Sequence, residues 1–258
     1  MFKAVFVFVF VLLILSNTCF AQDNIKILLE KAFVKTFSSA NEFRNCKVFR
    51  LLGYDLAETD FIGRITPHPT DLKIEYAYAE NGGFSAIKAS CEKVHYYNMI
   101  IEHVDFIFPN CELDMKKLNE GKLSFIKADE IELKIDVSET DVLSVFQLYA
   151  KAKALSKLKM VFSKNKCKLT GRVKQGLFVA DFEVTGNTKL INPKQVEFVC
   201  DKMVINGQVQ PRSFAKAAFA GINPVFDGTT TWLNLHLSEI KIIDGFVETR
   251  ATIKRKNS

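Results

Sequence analysis

The feature that most restricts this chain is a strict two-residue alternation from Lys166 to Lys174. Cys167, Leu169, Gly171 and Val173 fall on one side; Lys166, Lys168, Thr170, Arg172 and Lys174 fall on the other. A helix would scatter that pattern round its axis, whereas a strand sorts it into one apolar and one charged face. The segment therefore reads as a half-covered strand. With Gln175-Gly176 as a two-residue turn, Val173 faces Phe178, Leu169 faces Phe182 and Cys167 faces Val184, so inward residues meet inward residues. A second hairpin turns at Asp244-Gly245, a pair suited to type I′. Its register sets Lys241 against Glu248, Glu239 against Arg250, Ile242 against Val247 and His236 against Ile253.

The same period recurs earlier, where Leu72, Ile74, Tyr76 and Tyr78 alternate with Lys73, Glu75, Ala77 and Ala79. Further strands are expected near Phe84–His95, Met99–Phe108, Leu123–Phe125 and Glu130–Val137, with a break at Tyr97-Asn98. Helical spacing appears in three places. Ile25, Leu28, Leu29, Ala32 and Phe33 predict a helix over Asn24–Phe37. Ser138 as N-cap, with Asp141 three residues on and Val137 and Val142 in staple positions, predicts a helix over Glu139–Leu155. Its stripe is Val142, Val145, Phe146, Tyr149 and Ala152. Pro211 and Gly221 bracket a third helix presenting Phe214, Ala217, Ala218 and Phe219. The expected class is α+β: a long curved antiparallel sheet wrapped around two or three helices.

Composition excludes a collagen-like or disordered chain, with 48% hydrophobic and 25% charged residues. The 23 Phe against one Trp imply a large interior without polar tips. No Pro/Gly/Ser linker divides residues 22–258, which read as one domain. Residues 1–21 read as a cleaved signal peptide: Lys3, an apolar run from Val5 to Leu15, then Cys19-Phe20-Ala21 with small residues at −3 and −1. The expected location is periplasmic or extracellular, with the mature chain free of any transmembrane helix and possible peripheral association with a membrane. Export permits disulfides, but Cys46, Cys91, Cys111, Cys167 and Cys200 are odd in number and carry no metal-ligand spacing.

Catalytic signatures are scarce. There is no GxSxG, P-loop, HExxH or GxGxxG, and His95 and His103 stand on opposite sides of the expected break. His68 lies between two prolines; Glu102, His103 and Asp105 are the nearest approach to acid–base material. The reading is therefore no enzyme, no metal and no cofactor. Charge is more telling. Lys151 to Lys174 holds nine basic residues and no acidic one, in a chain whose net charge is only +6. Four of them, Lys166, Lys168, Arg172 and Lys174, share one strand face. That asymmetry favours an anionic partner, and in an exported protein anionic headgroups fit better than nucleic acid.

From about residue 128 to 254 the order of features resembles the LmeA-like phospholipid-binding proteins, an exported bacterial family. The resemblance lies in Ile131-Glu-Leu-Lys-Ile-Asp-Val-Ser-Glu-Thr-Asp-Val-Leu143, Gly186, Asn192-Pro193, Val204-Ile-Asn-Gly207, Asn223-Pro-Val-Phe-Asp227 and the stretch Leu233 to Gly245. It implies a tubular lipid-binding (TULIP-like) domain with an apolar groove for acyl chains and no catalytic residues. On that expectation Val142, Phe146, Tyr149, Phe178, Phe182, Phe214 and Phe219 line the groove. Lys166, Lys168, Arg172 and Lys174 then face anionic phospholipid headgroups or a membrane surface. The alternative is a structural or adaptor protein of the envelope, with a dry core and a basic face gripping an acidic polymer or protein.

Overall fold

A computed structural model describes residues 24–36, 46–54, 65–66, 72–80, 83–96, 99–151, 155–230 and 235–256. The expected leader at 1–21, His68 and the break at Tyr97-Asn98 lie outside the described residues. Strands dominate, and all pairings are antiparallel. They form two sheets where one long sheet was expected.

The first sheet holds β1 (Ile65–Thr66), β2 (Lys73–Tyr78), β3 (Phe84–Tyr96), β4 (Met99–Leu113), β5 (Phe125–Lys127), β6 (Glu130–Ser138), β13 (Leu235–Ile243) and β14 (Phe246–Lys254). Its order is β1-β3-β4-β6-β14-β13, with β2 also on β3 and β5 also on β4. The second holds β7 (Leu155–Ser163), β8 (Lys166–Gln175), β9 (Phe178–Asn192), β10 (Gln195–Ile205), β11 (Gln208–Val209) and β12 (Phe226–Asp227). It runs β11-β10-β9-β8-β7, with β12 on β10. The C-terminal strand β14 pairs with β6 from Phe246↔Ser138 to Lys254↔Glu130, which sews the end of the chain into the middle of the first sheet.

Helix α1 (24–36) covers the first sheet as its stripe requires, with Leu29, Ala32 and Phe33 fully buried. Phe33 meets Phe108 of β4 at a ring separation of 5.9 Å, and Phe108 meets Phe125 of β5 at 4.9 Å. The short helix α2 (Val48–Leu51) adds Val48 and Phe49. It is tied to the C-terminal strand by Tyr54 Oη donating to the Lys254 carbonyl at 2.6 Å and by Lys256 N donating to the Leu52 carbonyl at 2.8 Å. Helix α3 (Met115–Asn119) is N-capped by Asp114, whose carboxylate accepts from Lys116 N and Lys117 N. Together these pieces bury Ile74, Ile87, Phe108, Phe125, Ile131 and Ile253 in one continuous core.

Helix α4 (Glu139–Lys151) starts where the capping signal places it. Ser138 Oγ accepts from Asp141 N at 3.2 Å and its hydroxyl donates back to the Asp141 carboxylate. The helix is described to Lys151, and the expected last residue, Leu155, opens β7 instead. Helix α5 (Arg212–Ala220) lies between Pro211 and Gly221, one residue inside each expected boundary.

Both hairpin registers are corrected in detail. The β8–β9 turn is Gly176-Leu177, with Gln175 opposite Phe178. Val173 therefore meets Ala180, Leu169 meets Val184, and Phe182 lies opposite Gly171. The cause is the turn: only Gly176 has positive φ (61°), which suits the first central position of a type II′ turn. A two-residue shift preserves the faces, so the apolar side survives the error. In the β13–β14 hairpin Lys241↔Glu248, Glu239↔Arg250 and Ile242↔Val247 stand as expected. Only Gly245 has positive φ there, so the turn is not type I′, and an irregularity between Leu237 and Glu239 places His236 opposite Thr252 instead of Ile253.

None of the five described cysteines is paired. Burial pushes the Cys46, Cys91 and Cys111 thiols up to about 12 and Cys167 to about 11, so they pack as small apolar groups.

Candidate apolar-ligand face

Alternation aims one side of the second sheet inward. Leu158, Met160 and Phe162 come from β7; Cys167, Leu169 and Val173 from β8; Ala180, Phe182 and Val184 from β9; Val196, Phe198 and Met203 from β10. Two helices border this face. Val142 of α4 packs with Phe162, Cys167 and Ile242, while Ala215 and Phe219 of α5 pack with Val184 and Met203. The edge strand β13 closes a third side. Val196, Leu237 and Ala251 form a cluster there, and Leu237 N donates to the Pro193 carbonyl at 2.6 Å.

Coverage is incomplete. Leu158, Met160, Val173, Phe182, Phe198 and Phe219 are all only half-buried, although each points to the apolar side or packs onto it. Two glycines explain the shape of the surface. A Cβ on Gly171 would lie 2.7 Å from the Phe182 ring and 2.6 Å from Leu158 Cδ2; one on Gly186 would lie 2.5 Å from the Phe198 ring. Both rings therefore lie down across glycine backbone instead of standing into the space above it, which leaves a low, open apolar floor. Phe219 reaches over Phe198 at a ring separation of 5.0 Å.

Of the expected groove residues, Val142, Phe146, Phe182 and Phe219 are half-buried, with Val142, Phe182 and Phe219 packed on this face. Phe214 is not brought there: it is 48% exposed, because α5 turns Ala215 and Phe219 inward. The side chains of Tyr149 and Phe178 lie outside the described residues. Phe198, Leu158 and the glycine seats were missed by sequence reading; glycine within an alternating strand was the available signal. A void of about 10 Å³ lies in the first sheet's core between α1, α2 and β4, lined by Thr36, Phe49, Phe108, Phe125 and neighbours, and none of the expected groove residues borders it. It is room for about one water at most.

The basic stripe stands on the opposite face of the same sheet, and three of its four members have acidic partners. Lys166 pairs with Asp201, Lys168 with Glu183 at 2.7 Å, and Arg172 with Asp181 through two bonds of 2.6 and 2.9 Å. The Asp181 bridge raises the Arg172 pKa and Arg172 lowers that of Asp181. Those partners come from β9 and β10, beyond the basic segment, so a count along the chain could not find them.

The outer face of the first sheet gathers the polar residues singled out by sequence. Asp105, with a side chain only 6% exposed, accepts from Ser90 Oγ at 2.6 Å, shares a 2.9 Å hydrogen bond with His103 Nε2 and pairs with Lys88 Nζ at 3.3 Å. Burial raises its pKa, but those donors outweigh burial and hold the carboxyl below its ordinary value. Asp136, opposite His103 on β6, is shifted the other way, chiefly by burial, and its Oδ1 has no hydrogen-bond partner. Ser90 gives its hydroxyl proton to the same Asp105 carboxylate oxygen that His103 Nε2 meets. Among the described residues no His/Cys/Asp/Glu cluster suited to a metal ion occurs, and no helix is long and apolar enough to cross a membrane.

The chain matches no protein-family model, no curated protein and no solved structure.

Proposed function

We propose that this is an exported, non-enzymatic lipid-binding protein that holds acyl chains on the inner face of its second sheet. The observation that carries the reading is the half-covered apolar floor bordered by α4, α5 and β13. Apolar area left at the surface gains about 25 cal/mol per Å² when hydrocarbon replaces water on it. Partly exposed apolar side chains gathered on one sheet face are candidates for covering by a ligand. The resemblance of residues 128–254 to LmeA-like proteins, and through them to a TULIP-like domain, points the same way. The role for anionic headgroups is revised, because Lys166, Lys168 and Arg172 are engaged by acidic neighbours on the far side of the sheet.

Native mass spectrometry of protein purified without detergent tests the reading. The expected result is an adduct with the mass of a phospholipid or fatty acid, lost on delipidation and weakened by Val173→Glu. Protein that is empty as purified and takes up no added phospholipid overturns it. One observation favours the alternative adaptor role: the void of about 10 Å³ belongs to the first core and not to the expected groove. An empty protein that captures an acidic polymer would favour that alternative.

A further inference from the structure

One end of the second sheet carries the most exposed large apolar side chain among the described residues, Leu177, with Val179 behind it. The β8–β9 hairpin runs past the end of β10, whose last partner on β9 is Phe182, so residues 174–180 project beyond it. At the apex Leu177 is completely exposed, and behind it Val179 is 47% exposed, paired in register with Lys174. Beside this finger lies the β10–β11 turn at Asn206-Gly207, both at positive φ. It is fastened to the base of the finger: Asp181 N donates to Asn206 Oδ1 at 2.9 Å, and Asn206 N donates to the Asp181 carbonyl at 2.8 Å. From that turn the chain passes through Val209, 65% exposed, into α5, where Phe214 stands outward.

Acidic residues are few around the projecting hairpin. No acidic residue occurs between Asp141 and Asp181 or between Asp201 and Asp227, and Asp181 is held by Arg172. Lys174, opposite Val179, is exposed and makes no ion pair among the described residues. Exposed Leu and Val beside an unpaired lysine form the pattern of an element that sits in a bilayer interface: apolar tips enter the acyl boundary while the cation contacts headgroups.

We propose that this end of the second sheet docks on an anionic lipid bilayer, with Leu177 and Val179 as the inserting tip and Lys174 as the headgroup contact. It takes from the lipid-binding reading only the choice of a lipid surface, and it replaces the ion-paired stripe as the membrane contact.

Co-sedimentation of the purified protein with phosphatidylglycerol–phosphatidylcholine vesicles, against pure phosphatidylcholine vesicles, tests it. Leu177→Asp with Val179→Asn should weaken binding to the anionic vesicles about tenfold or more, since one immersed Leu alone carries that much. Lys174→Gln should weaken it about fivefold, an effect that fades with added salt. Lys166→Gln with Lys168→Gln, whose side chains are ion-paired on the sheet face, and Ile126→Asn on the first sheet should leave binding unchanged. Equal thermal midpoints establish that the tip variants are folded. Unaltered binding of the tip variants overturns the proposal, as does equal loss from the Lys166 and Lys168 changes, or a tip variant that instead dissolves a dimer of this chain. A protein empty in native mass spectrometry that still binds vesicles through Leu177 overturns the acyl-chain site and upholds the docking surface. A lipid-loaded protein indifferent to Leu177 does the reverse.

Discussion

The two sheets carry comparable apolar faces and treat them differently. In the first, α1 lies across the strands and Leu29, Phe33, Ile87, Phe125 and Ile131 keep at most 2% of their surface. In the second, α4 and α5 stand at the borders, and Phe182, Phe198, Met160 and Val173 keep part of their surface exposed. The contrast is one of lid placement, since both faces are built by the same alternation. A central lid yields a dry core; two marginal lids yield a surface that hydrocarbon can cover.

The sharpest way to break this contrast is truncation on each side. Phe33→Ala should cost about 3–5 kcal/mol in urea denaturation, the ordinary loss for a fully buried Phe. Phe182→Ala should cost less, because part of its surface is already hydrated. Equal losses would mean that the second face is as closed as the first. Next in size is the glycine floor. Gly186→Ala pushes a methyl toward the Val199 carbonyl, 2.3 Å away, and should destabilise by about 1–3 kcal/mol. Gly171→Ala should cost less, since the ends of Leu158 and Phe182 can shift aside; the reverse order in thermal melts would refute the seating of the rings.

A third comparison sets the polar outer face of the first sheet against that of the second. Asp105→Asn should cost about 1–3 kcal/mol at neutral pH, because Lys88 loses its charge partner and Ser90 and His103 lose a charged acceptor. The wild-type contribution has a definite pH sense. Asp105 is held below its ordinary 3.8, so its stabilisation is present above that value and is lost as pH falls through the lower folded value. Asp136 is raised, so the native state takes up its proton first, and its penalty at neutral pH is relieved on acidification. Asp136→Asn should remove that acid-side gain, and an unchanged pH profile would contradict the assignment. Smallest of all, Lys168→Gln on the second sheet should change stability by less than about 0.5 kcal/mol, as exposed pairs do.

Local physics was legible in the sequence and long-range pairing was not. Ser138 and Asp141 announced the start of α4, the stripe of α1 named its buried residues, and the Glu239↔Arg250 register followed from Asp244-Gly245 alone. Each of those rests on residues within a dozen positions of one another. The pairing of β6 with β14 joins segments more than a hundred residues apart, and no periodicity encodes such a choice. The stripe at Lys166 looked unopposed for another reason: Asp181 and Glu183 stand on the next strand of the same hairpin, just beyond the basic segment, and only Asp201 comes from a strand further on. The β8–β9 register slipped because Gly176 was assigned to the second turn position when its conformation suits the first. On the candidate site, alternation found the apolar side and Phe182, while the rings lying over Gly171 and Gly186 depend on which residues become neighbours.

The unpaired cysteines turn the molecule into its own recorder. Cys46 and Cys111 sit in the dry core, Cys167 under the border of α4 and Cys200 half-covered on the open floor. A thiol reagent therefore samples each compartment through its own opening fluctuations. Bound hydrocarbon should slow modification at Cys200 while leaving Cys46 at its former rate, so occupancy of the floor is readable without attaching any foreign label.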